Sequence, residues 1–364
     1  MTASPPPDRG ASTPSHSISW SDPERAEAFA QWLAAIGARH RLLPATVRPA
    51  SADASFRRYF RIDTEDAAGT RIVMDAPPDQ ENSAPFVQVA RLMGDAGLTA
   101  PQVLEWDEPS GFLLLDDLGR RTMLDVIDPA DPEAARPLYA KAIDALIGWQ
   151  LASRPQVLPP YDRALLEREL ALFPDWYVAR HRGLAVVGPL QERLQRSFQL
   201  IVENNLAAPR VYVHRDFMPR NLMITGGPAL GVLDFQDAVH GPITYDIASL
   251  MRDAFLSWEE DFVLDVTVRY WEQARRAGLP VDEDFGAFYR AVEWMGLQRH
   301  LKVAGIFARL TLRDGKPKYL ADTPRFIAYI RATAGRYREL APLLRAVDEI
   351  EGTQPQSGFA YGRM

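Results

Sequence analysis

The spacing of the apolar residues changes along the chain. From residue 45 to residue 76 apolar and polar residues alternate, as they do in strands that bury one face. From residue 131 onward apolar residues recur at helical spacing, as they do in amphipathic helices. The sequence therefore predicts an α+β fold, with a small β-rich part followed by a larger helical part.

The small part is predicted to begin with an amphipathic helix. Ser21 and Asp22 open the segment SDPERAEAFAQWLAAIGARH, and Pro23 stands at the helix start. Its apolar face, which we expect to pack on the small part, consists of Phe29, Trp32, Leu33 and Ile36. Further predictions are strands in ATVRPASADASFRRYFRID, TRIVMDAPP, PQVLEW and GFLLLDDLG, and a helix over residues 82–97.

The larger part is predicted to contain two groups of helices. The first group comprises PEAARPLYAKAIDALIGWQLA, DRALLERELALFPDWYVARH and LQERLQRSFQLIVENN. The second comprises DIASLMRDAFL, SWEEDFVLDVTVRYWEQARRAG and DEDFGAFYRAVEWMGLQRHLKVAGIFARL. We divide the chain into a disordered tail at 1–19, a small lobe at 20–118, a helical lobe at 119–350 and a second tail at 351–364.

Composition excludes several classes of function. The chain has 364 residues, a formal net charge of −7 and no basic run, which argues against a nucleic-acid surface. It has no cysteine, so disulfides, thiol catalysis and cysteine-based zinc sites are excluded, and its six histidines form no zinc-binding pair. We find neither a signal sequence nor a membrane-spanning stretch, and we therefore expect a cytoplasmic protein with no membrane partner.

The strongest candidate for chemistry is the segment VYVHRDFMPRNLMITGGPALGVLDF at residues 211–235. An apolar strand leads into His214 and Asp216, and four residues separate Asp216 from Asn221, the spacing of a phosphotransfer loop. A predicted hairpin with a turn at Gly226 and Gly227 ends at Asp234 and should return it to within a few ångströms of Asn221.

These three polar residues match the needs of phosphoryl transfer. Clustered phosphate charge must be neutralised by a hard divalent cation while the acceptor hydroxyl is aligned. Asn221 and Asp234 would hold Mg²⁺, and Asp216 would accept the hydroxyl proton. The alternative is that these residues only cap turns, but their position between a strand and a hairpin favours a kinase site.

The segments HRDFMPRNL and VLDFQDAVHGPITYDIA resemble the aminoglycoside phosphotransferase-like superfamily of small-molecule kinases. The resemblance implies the bilobal protein-kinase-like fold, with a small antiparallel β lobe and a larger, mainly helical lobe. Only 12 residues run from Asp234 to Asp246, too few for the activation segment of a protein kinase, and Asp246 is expected to cap or brace a helix. Met218 replaces the phosphate-contacting lysine of protein kinases. Both features favour a small hydroxyl substrate.

The nucleotide site lacks its usual lysine. The first lysine of the chain is Lys141, so phosphate anchoring falls to Arg57 and Arg58, with backbone N–H groups of SADAS up to Ser55 as further donors. Arg58 could equally pair with a structural carboxylate such as Glu81. The superfamily resemblance assigns adenine contacts to the main chain of Asp116 and Leu118.

A cationic group on the last long predicted helix suggests the acceptor site. It consists of Arg299, His300 and Lys302, with Arg313 in the following loop. In an acidic protein this group could receive a substrate carboxylate or the triphosphate. The alternative is a solvated basic face paired with Glu293 or Asp314.

Several motifs together resemble the anomeric N-acetylmuramate/N-acetylglucosamine kinases of bacterial cell-wall recycling. These motifs are SFRRYFR, MDAPP, LLLDDLG, HRDFMPRNLM, VLDFQDA, GLQRHLKVAGIFARL and RDGKPKYL, and the likeness spans residues 20–345. It implies ATP- and Mg²⁺-dependent phosphorylation of a sugar C1 hydroxyl, in a relay to a sugar-1-phosphate uridylyltransferase, and we expect a monomer. The alternatives are another small-hydroxyl kinase, for choline, homoserine, a thioribose or an aminoglycoside, and a non-catalytic nucleotide-binding regulator.

Overall fold

The computed structural model of the chain describes residues 18–51 and 56–353. These residues form two compact units, each with its own set of internal contacts. The first contains the described residues up to Ala90 together with Pro101–Asp117, and the second contains Arg91–Ala100 together with the residues from Leu118 on. Most of both predicted tails lies outside the described residues, as does the candidate Ser55.

The first unit is built on a five-stranded antiparallel sheet with the strand order β1-β2-β3-β5-β4. Its strands are β1 (Leu42–Ser51), β2 (Arg58–Thr64), β3 (Thr70–Asp75), β4 (Val103–Asp107) and β5 (Phe112–Asp116). Its helices are α1 (Pro23–Gly37) and most of α2 (Ala84–Asp95). All the strands and both helices predicted for the small part are confirmed.

Helix α1 packs on the sheet as its apolar face predicts. The Asp22 side chain accepts a hydrogen bond from the Glu24 N–H and caps the first turn. The shared core consists of Phe29, Leu33 and Ile36 from α1 with Leu42, Phe60, Ile62, Val73, Phe112 and Leu114 from the sheet. Burial of these side chains fixes the register of the strands, because a slip of one residue would turn them to solvent.

The second unit is mainly helical. Its further helices are α3 (Met123–Val126), α4 (Pro132–Leu151), α5 (Arg163–Leu172), α6 (Gly188–Ala207), α7 (Thr244–Met251), α8 (Glu260–Arg276), α9 (Phe285–Leu312), α10 (Thr323–Arg336) and α11 (Ala341–Glu351). Three short 3₁₀ segments lie at Pro219–Asn221, Pro317–Asp322 and Arg338–Leu340. The predicted helical lobe and the α+β fold class are therefore confirmed.

The helix predicted over DRALLERELALFPDWYVARH is not uniform. It is α-helical to Leu172 and continues as a π-helix over Phe173–His181. Pro174 lies at the change, where it can donate no hydrogen bond to the preceding turn. The spacing of apolar residues does not distinguish an α-helix that changes to a π-helix at a proline from an α-helix that continues.

The segment at residues 211–235 contributes strands to two small sheets. Strand β6 (Arg210–Val213) pairs antiparallel with β9 (Val239–Pro242), and β7 (Leu222–Ile224) pairs antiparallel with β8 (Leu230–Val232). The predicted hairpin is confirmed, whereas β9 and the last two helices were not predicted. None of the helices in residues 18–51 and 56–353 combines the length and apolar character that crossing a bilayer requires.

Candidate active site

The phosphotransfer loop leaves β6 at His214 and is anchored by Asp246 in the first turn of α7. The two Asp246 carboxylate oxygens accept hydrogen bonds from the backbone N–H groups of His214 at 2.7 Å and Arg215 at 3.0 Å. Burial raises the pKa of Asp246 to about 7, although both N–H donors favour its ionised form. The bracing predicted for Asp246 thus acts on the loop, where Arg215 adopts a left-handed φ of 79°.

The His214 side chain is uncharged and makes two hydrogen bonds within the loop and hairpin. Its Nδ1 accepts a hydrogen bond from the Asp216 N–H at 3.2 Å, so the ring proton lies on Nε2, which donates to the Leu233 carbonyl at 3.0 Å. Burial lowers the pKa of His214 to about 4. The ring therefore links Asp216 to the end of the hairpin without adding charge.

The hairpin brings Asn221 and Asp234 together. The Leu233 N–H donates to the Asn221 carbonyl at 2.9 Å, and the Asn221 side-chain amide donates to Asp234 Oδ2 at 3.3 Å. The same amide nitrogen donates to the Asp216 carbonyl oxygen at 2.8 Å. Asn221 is thus the physical link between the loop and the hairpin. Gln236 binds the second oxygen of Asp234 at 2.8 Å.

Asn221 and Asp234 carry oxygen atoms of the kind that hard divalent cations prefer. Because the Asn221 amide nitrogen is occupied by the two oxygen acceptors, its amide oxygen lies on the other side of the group, and Asp234 supplies carboxylate oxygens. Within the described ranges there is no cluster of three or more His, Cys, Asp and Glu that could hold a metal. Asn221 and Asp234 remain the predicted Mg²⁺ ligands, and an ion shared by both would require the Asn221 amide to turn its oxygen toward Asp234.

Asp216 lies in a positive environment. Burial works to raise its pKa, but the charges of Lys302, Arg299 and Arg215 lower it below the usual value. No ion pair within 4.0 Å includes the Asp216 carboxylate among residues 18–51 and 56–353. The carboxylate is thus stabilised as an anion by nearby cations without direct pairing.

The cations near Asp216 are held by a buried glutamate that sequence reasoning missed. Glu169 Oε1 on α5 lies 2.7 Å from Arg215 Nη2 and 3.0 Å from Lys302 Nζ, and Tyr161 donates its hydroxyl hydrogen to Glu169 Oε2. The Lys302 ammonium also donates to the Tyr245 hydroxyl at 3.3 Å. The available signal was the position of Glu169 on the apolar face of its helix, since a buried carboxylate requires partners.

The four residues predicted to contact the substrate separate into two groups. Arg299 donates to the Arg215 carbonyl at 2.6 Å, so Arg299 and Lys302 both lie at the loop, and both are buried. His300 points elsewhere: it donates to the Arg252 carbonyl at 3.2 Å and stacks on Tyr329 with a ring separation of 4.7 Å. Arg313 is exposed and pairs with Asp314 at 2.6 Å, the alternative that the sequence left open.

The two arginines predicted to anchor phosphate both carry carboxylate partners. Arg57 pairs with Glu81 at 3.1 Å. Arg58 Nε binds Asp75 at 2.9 Å, and its guanidinium lies 4.0 Å from the centre of the Trp20 ring. Arg58 thus pairs with a structural carboxylate, the alternative that the sequence left open, but the carboxylate is Asp75 and Glu81 pairs with Arg57 instead.

The two residues predicted to contact adenine lie in different units. In the first unit, Asp116 ends β5, where its N–H donates to the Gln102 carbonyl at 3.2 Å and its Oδ1 accepts from the Gln102 N–H at 2.6 Å. Burial raises the pKa of Asp116. In the second unit, the Leu118 side chain packs on Gly231, where an added Cβ would lie 2.8 Å from Leu118 Cδ1.

Comparisons with known proteins find related sequences along most of the chain. The family described as phosphotransferase enzyme family matches residues 46–281. A curated protein of Pseudomonas aeruginosa named N-acetylmuramate/N-acetylglucosamine kinase is 53% identical over 317 residues, which cover 87% of this chain and 91% of that protein. A protein of Neisseria meningitidis serogroup B with the same name is 50% identical, covering 86% and 93% of the two chains.

A solved structure shows the same fold at low identity. The ADP-bound crystal structure of aminoglycoside phosphotransferase APH(2'')-Ib has a TM-score of 0.55 with 15% sequence identity. The match covers 85% of this chain and 97% of that chain. At this identity the likeness establishes the fold and not the substrate.

Proposed function

The chain belongs to the phosphotransferase enzyme family, and from this premise we propose that it is an ATP-dependent N-acetylmuramate/N-acetylglucosamine kinase. The acceptor in the proposal is the C1 hydroxyl, and the product is the sugar 1-phosphate. The observation that carries the proposal is the convergence of Asp216, Asn221 and Asp234, with Asn221 binding both the Asp216 carbonyl and the Asp234 carboxylate.

The proposed reaction is an in-line transfer of the γ-phosphoryl group of ATP. A bond forms between the C1 oxygen and the γ-phosphorus, the bond from that phosphorus to the bridging oxygen of ADP breaks, and the hydroxyl proton passes to Asp216. An anomeric hydroxyl is more acidic than an ordinary alcohol, so Asp216 needs only to orient it and accept its proton late. Because its pKa is lowered, Asp216 is ionised at neutral pH and able to accept that hydrogen bond.

Asn221 and Asp234 would hold Mg²⁺ in this proposal. When bound, a divalent cation neutralises charge on the phosphate oxygens. The hydrogen bond from Asn221 to the Asp216 carbonyl ties the position of the ligand pair to that of the base. Alignment of these groups before the reaction would supply much of the rate enhancement.

The nucleotide contacts remain proposals. They comprise Ser55, Arg57, Arg58, Asp116 and Leu118. An incoming phosphate would have to replace Glu81 at Arg57, or Asp75 at Arg58. Three further predictions concern the setting of the reaction. The protein is expected to act in the cytoplasm, to be a monomer, and to supply its product to a uridylyltransferase.

The charge around Asp216 favours a neutral or anionic acceptor. Arg299 and Lys302 both lower the pKa of Asp216, whereas choline or an aminoglycoside would call for an acceptor pocket lined by acids. This supports an N-acetyl sugar over the amino alcohols that other kinases of this fold accept. Buried Arg299 and Lys302 act here through their field, and direct contact with the substrate is not required.

A steady-state assay of ADP release tests the proposal. N-acetylmuramate and N-acetylglucosamine should support turnover, and ³¹P NMR of the product should show a phosphate coupled to the anomeric proton. The matched control is the methyl glycoside of N-acetylglucosamine, which differs only by a blocked C1 oxygen and should give no turnover. Equal turnover of the glycoside would exclude C1 as the acceptor, and turnover of only choline, homoserine, a thioribose or an aminoglycoside would establish the alternative.

A further inference from the structure

The buried glutamate on α5 joins elements that are distant in the sequence. Glu169 binds Arg215 from the phosphotransfer loop and Lys302 from α9 through the same carboxylate oxygen. Its second oxygen accepts the Tyr161 hydroxyl. Every polar group that faces the Glu169 carboxylate among the described residues is thus a hydrogen-bond donor, and the pKa of Glu169 is lowered by Lys302 and Arg215 despite burial.

The Lys302 ammonium interacts electrostatically with two carboxylates, those of Glu169 and Asp216. It pairs with Glu169, and it is the cation with the largest effect on Asp216, yet it makes no ion pair within 4.0 Å with Asp216. Burial works to lower its pKa, but Tyr245 and Glu169 raise it, so the ammonium is charged. A buried charged lysine requires a partner, and the flexible stem of lysine allows it to change partners.

Arg215 is more constrained than Lys302. Its N–H is fixed by Asp246, its carbonyl accepts from Arg299, and its guanidinium also reaches the Asp237 carbonyl at 3.5 Å. Loss of the Glu169 charge would therefore release Lys302 first. Besides Glu169, Asp216 is the carboxylate that raises the pKa of Lys302, so it is the acid to which Lys302 would turn.

We propose that Glu169 is a positioning residue that holds Lys302 beside Asp216 and prevents the two from forming an ion pair. The inference rests on the proposed role of Asp216 as the base. An ion pair with Lys302 would occupy the carboxylate oxygens that must accept the sugar hydroxyl, and it would make Asp216 a weaker base. Glu169 thus keeps the favourable field of Lys302 and excludes direct contact.

The test compares Glu169→Gln with Glu169→Gln/Lys302→Met. In the single variant Lys302 pairs with Asp216, so kcat for the N-acetyl sugar should fall about tenfold to a hundredfold while KM for ATP stays within about twofold of wild type. Removing Lys302 in addition should restore most of the lost kcat. A purely structural role of Glu169 predicts the opposite, because the second core substitution would add to the damage.

The matched control is Glu167→Gln on the same helix. Glu167 is exposed and pairs only with Arg163 at 3.2 Å among its described neighbours, so its kcat should equal that of wild type. If Glu169→Gln fails to fold, Lys302→Met and the double variant carry the test. Both lack the competing ammonium, so kcat of the double variant should equal that of Lys302→Met within about twofold, whereas a structural role of Glu169 predicts a further loss.

Three outcomes overturn the inference. They are wild-type kcat in Glu169→Gln, no recovery in the double variant, and a loss in Lys302→Met as large as that caused by Asp216→Asn. Failure of the proposed function is separate, since wild-type enzyme would then release no ADP with either N-acetyl sugar.

Discussion

Asp216 is the side chain whose removal should affect only the chemical step. Asp216→Asn keeps the shape of the side chain but cannot accept the hydroxyl proton, so kcat should fall by about 10²–10⁴-fold. Because the Asn221 amide binds the Asp216 carbonyl oxygen and not its carboxylate, the loop should keep its conformation. Titration calorimetry should therefore show unchanged binding of nucleotide, and ordinary turnover in this variant would contradict the role of Asp216 as base.

Asp234→Asn is the comparison variant for the metal ligands. This variant should have lower turnover. It should also bind nucleotide more weakly in the presence of Mg²⁺, because the charged member of the proposed ligand pair, the Asp234 carboxylate beside Asn221, is lost. Equal nucleotide affinity with and without Mg²⁺ in the wild-type enzyme would argue against this ligand pair.

Arg57 and Glu81 allow a test of the phosphate anchor. If Arg57 exchanges Glu81 for phosphate, Arg57→Met should raise KM for ATP about tenfold or more, because a charge-assisted contact is lost. Glu81→Gln removes only the competing carboxylate and should leave KM for ATP equal or lower. Steady-state kinetics at saturating sugar measures both, and an unchanged KM in Arg57→Met would assign the anchor to another residue.

His300 should make the folded state sensitive to acid. Burial, assisted by Arg252, lowers its pKa to about 3, whereas the unfolded chain binds the proton near 6.5. Its contribution to stability is therefore fully present above about pH 6.5 and is lost as pH falls toward 3, by up to about 1.4 kcal/mol per pH unit. From pH 7.5 to pH 5 the free energy of unfolding of wild type should thus fall about 2 kcal/mol more than that of His300→Gln.

Urea unfolding of the two proteins at constant ionic strength measures this difference. Other groups that titrate in the same range, such as Asp246 with its pKa of about 7, are common to both proteins and cancel in the difference. Parallel curves of unfolding free energy against pH would show that His300 takes up a proton in the folded state as readily as in the unfolded chain.

At the residue scale, sequence reasoning found the groups that lie close together in the chain. Asp216, Asn221 and Asp234 lie on one loop and one hairpin, so their spacing encodes their geometry. Glu169 is 46 residues from Arg215, and nothing in the order of residues connects them. His300 lies next to Arg299 in the sequence but on another side of α9, where it contacts Arg252.

At the scale of elements, the close contact between α5 and α9 depends on Gly305. A Cβ at this position would lie 2.4 Å from the backbone carbon and oxygen of Leu172, the last residue of α5. Gly305→Ala should therefore destabilise the protein by about 1–3 kcal/mol in urea unfolding, because neither backbone can yield locally. Separation of the helices would also lengthen the Glu169–Lys302 pair, so kcat should fall.

Gly296→Ala in the same helix is the matched control. There a Cβ would meet only Arg252 Cγ at 3.6 Å, an ordinary contact, so the substitution should be neutral or stabilise the protein by about 0.5–1 kcal/mol. Equal stability of the two alanine variants would show that the α5–α9 distance does not depend on a missing side chain.

Helices and strands were predictable from the sequence where apolar residues keep one regular spacing over many residues. Helices α1, α4 and α8 satisfy this condition, since each shows one apolar face. Helix α9 is buried on all sides from Val292 to Lys302, so no single face marks it. The π-helix at Phe173–His181 keeps an apolar face and changes only its hydrogen bonds. Strand β9 has four residues and includes Gly241 and Pro242, so no alternation marks it.

At the scale of the whole molecule, the change from alternating to helical spacing of apolar residues predicted one β-rich and one helical unit. It could not predict that Arg91–Ala100 groups with the helical residues. The grouping depends on contacts through space, since the Thr99 carbonyl accepts from the Val232 N–H at 2.7 Å. Such long-range pairing leaves no pattern in the local sequence.

Asp75 should contribute to the stability of the first unit only. It is fully buried at the end of β3, where it binds Arg25 from α1 at 2.8 Å and Arg58 from β2 at 2.9 Å. Asp75→Asn would leave the side chains of Arg25 and Arg58, which are 17% and 33% exposed, without their buried anion, at a cost of about 2–3 kcal/mol. Hydrogen exchange should then show loss of protection in α1, β2 and β3.

Asp265 provides the comparison, because it also binds two arginines but in the helical unit. It pairs with Arg136 and, at 2.9 Å, with Arg269, and its side chain is 33% exposed where that of Asp75 is 0% exposed. Since water screens such pairs, Asp265→Asn should cost less than about 1 kcal/mol. Because all partners of Asp75 belong to the first unit, amides of α4 and α9 should keep their protection in Asp75→Asn. Equal loss of protection in both units would mean that they unfold together, whatever their separate cores suggest.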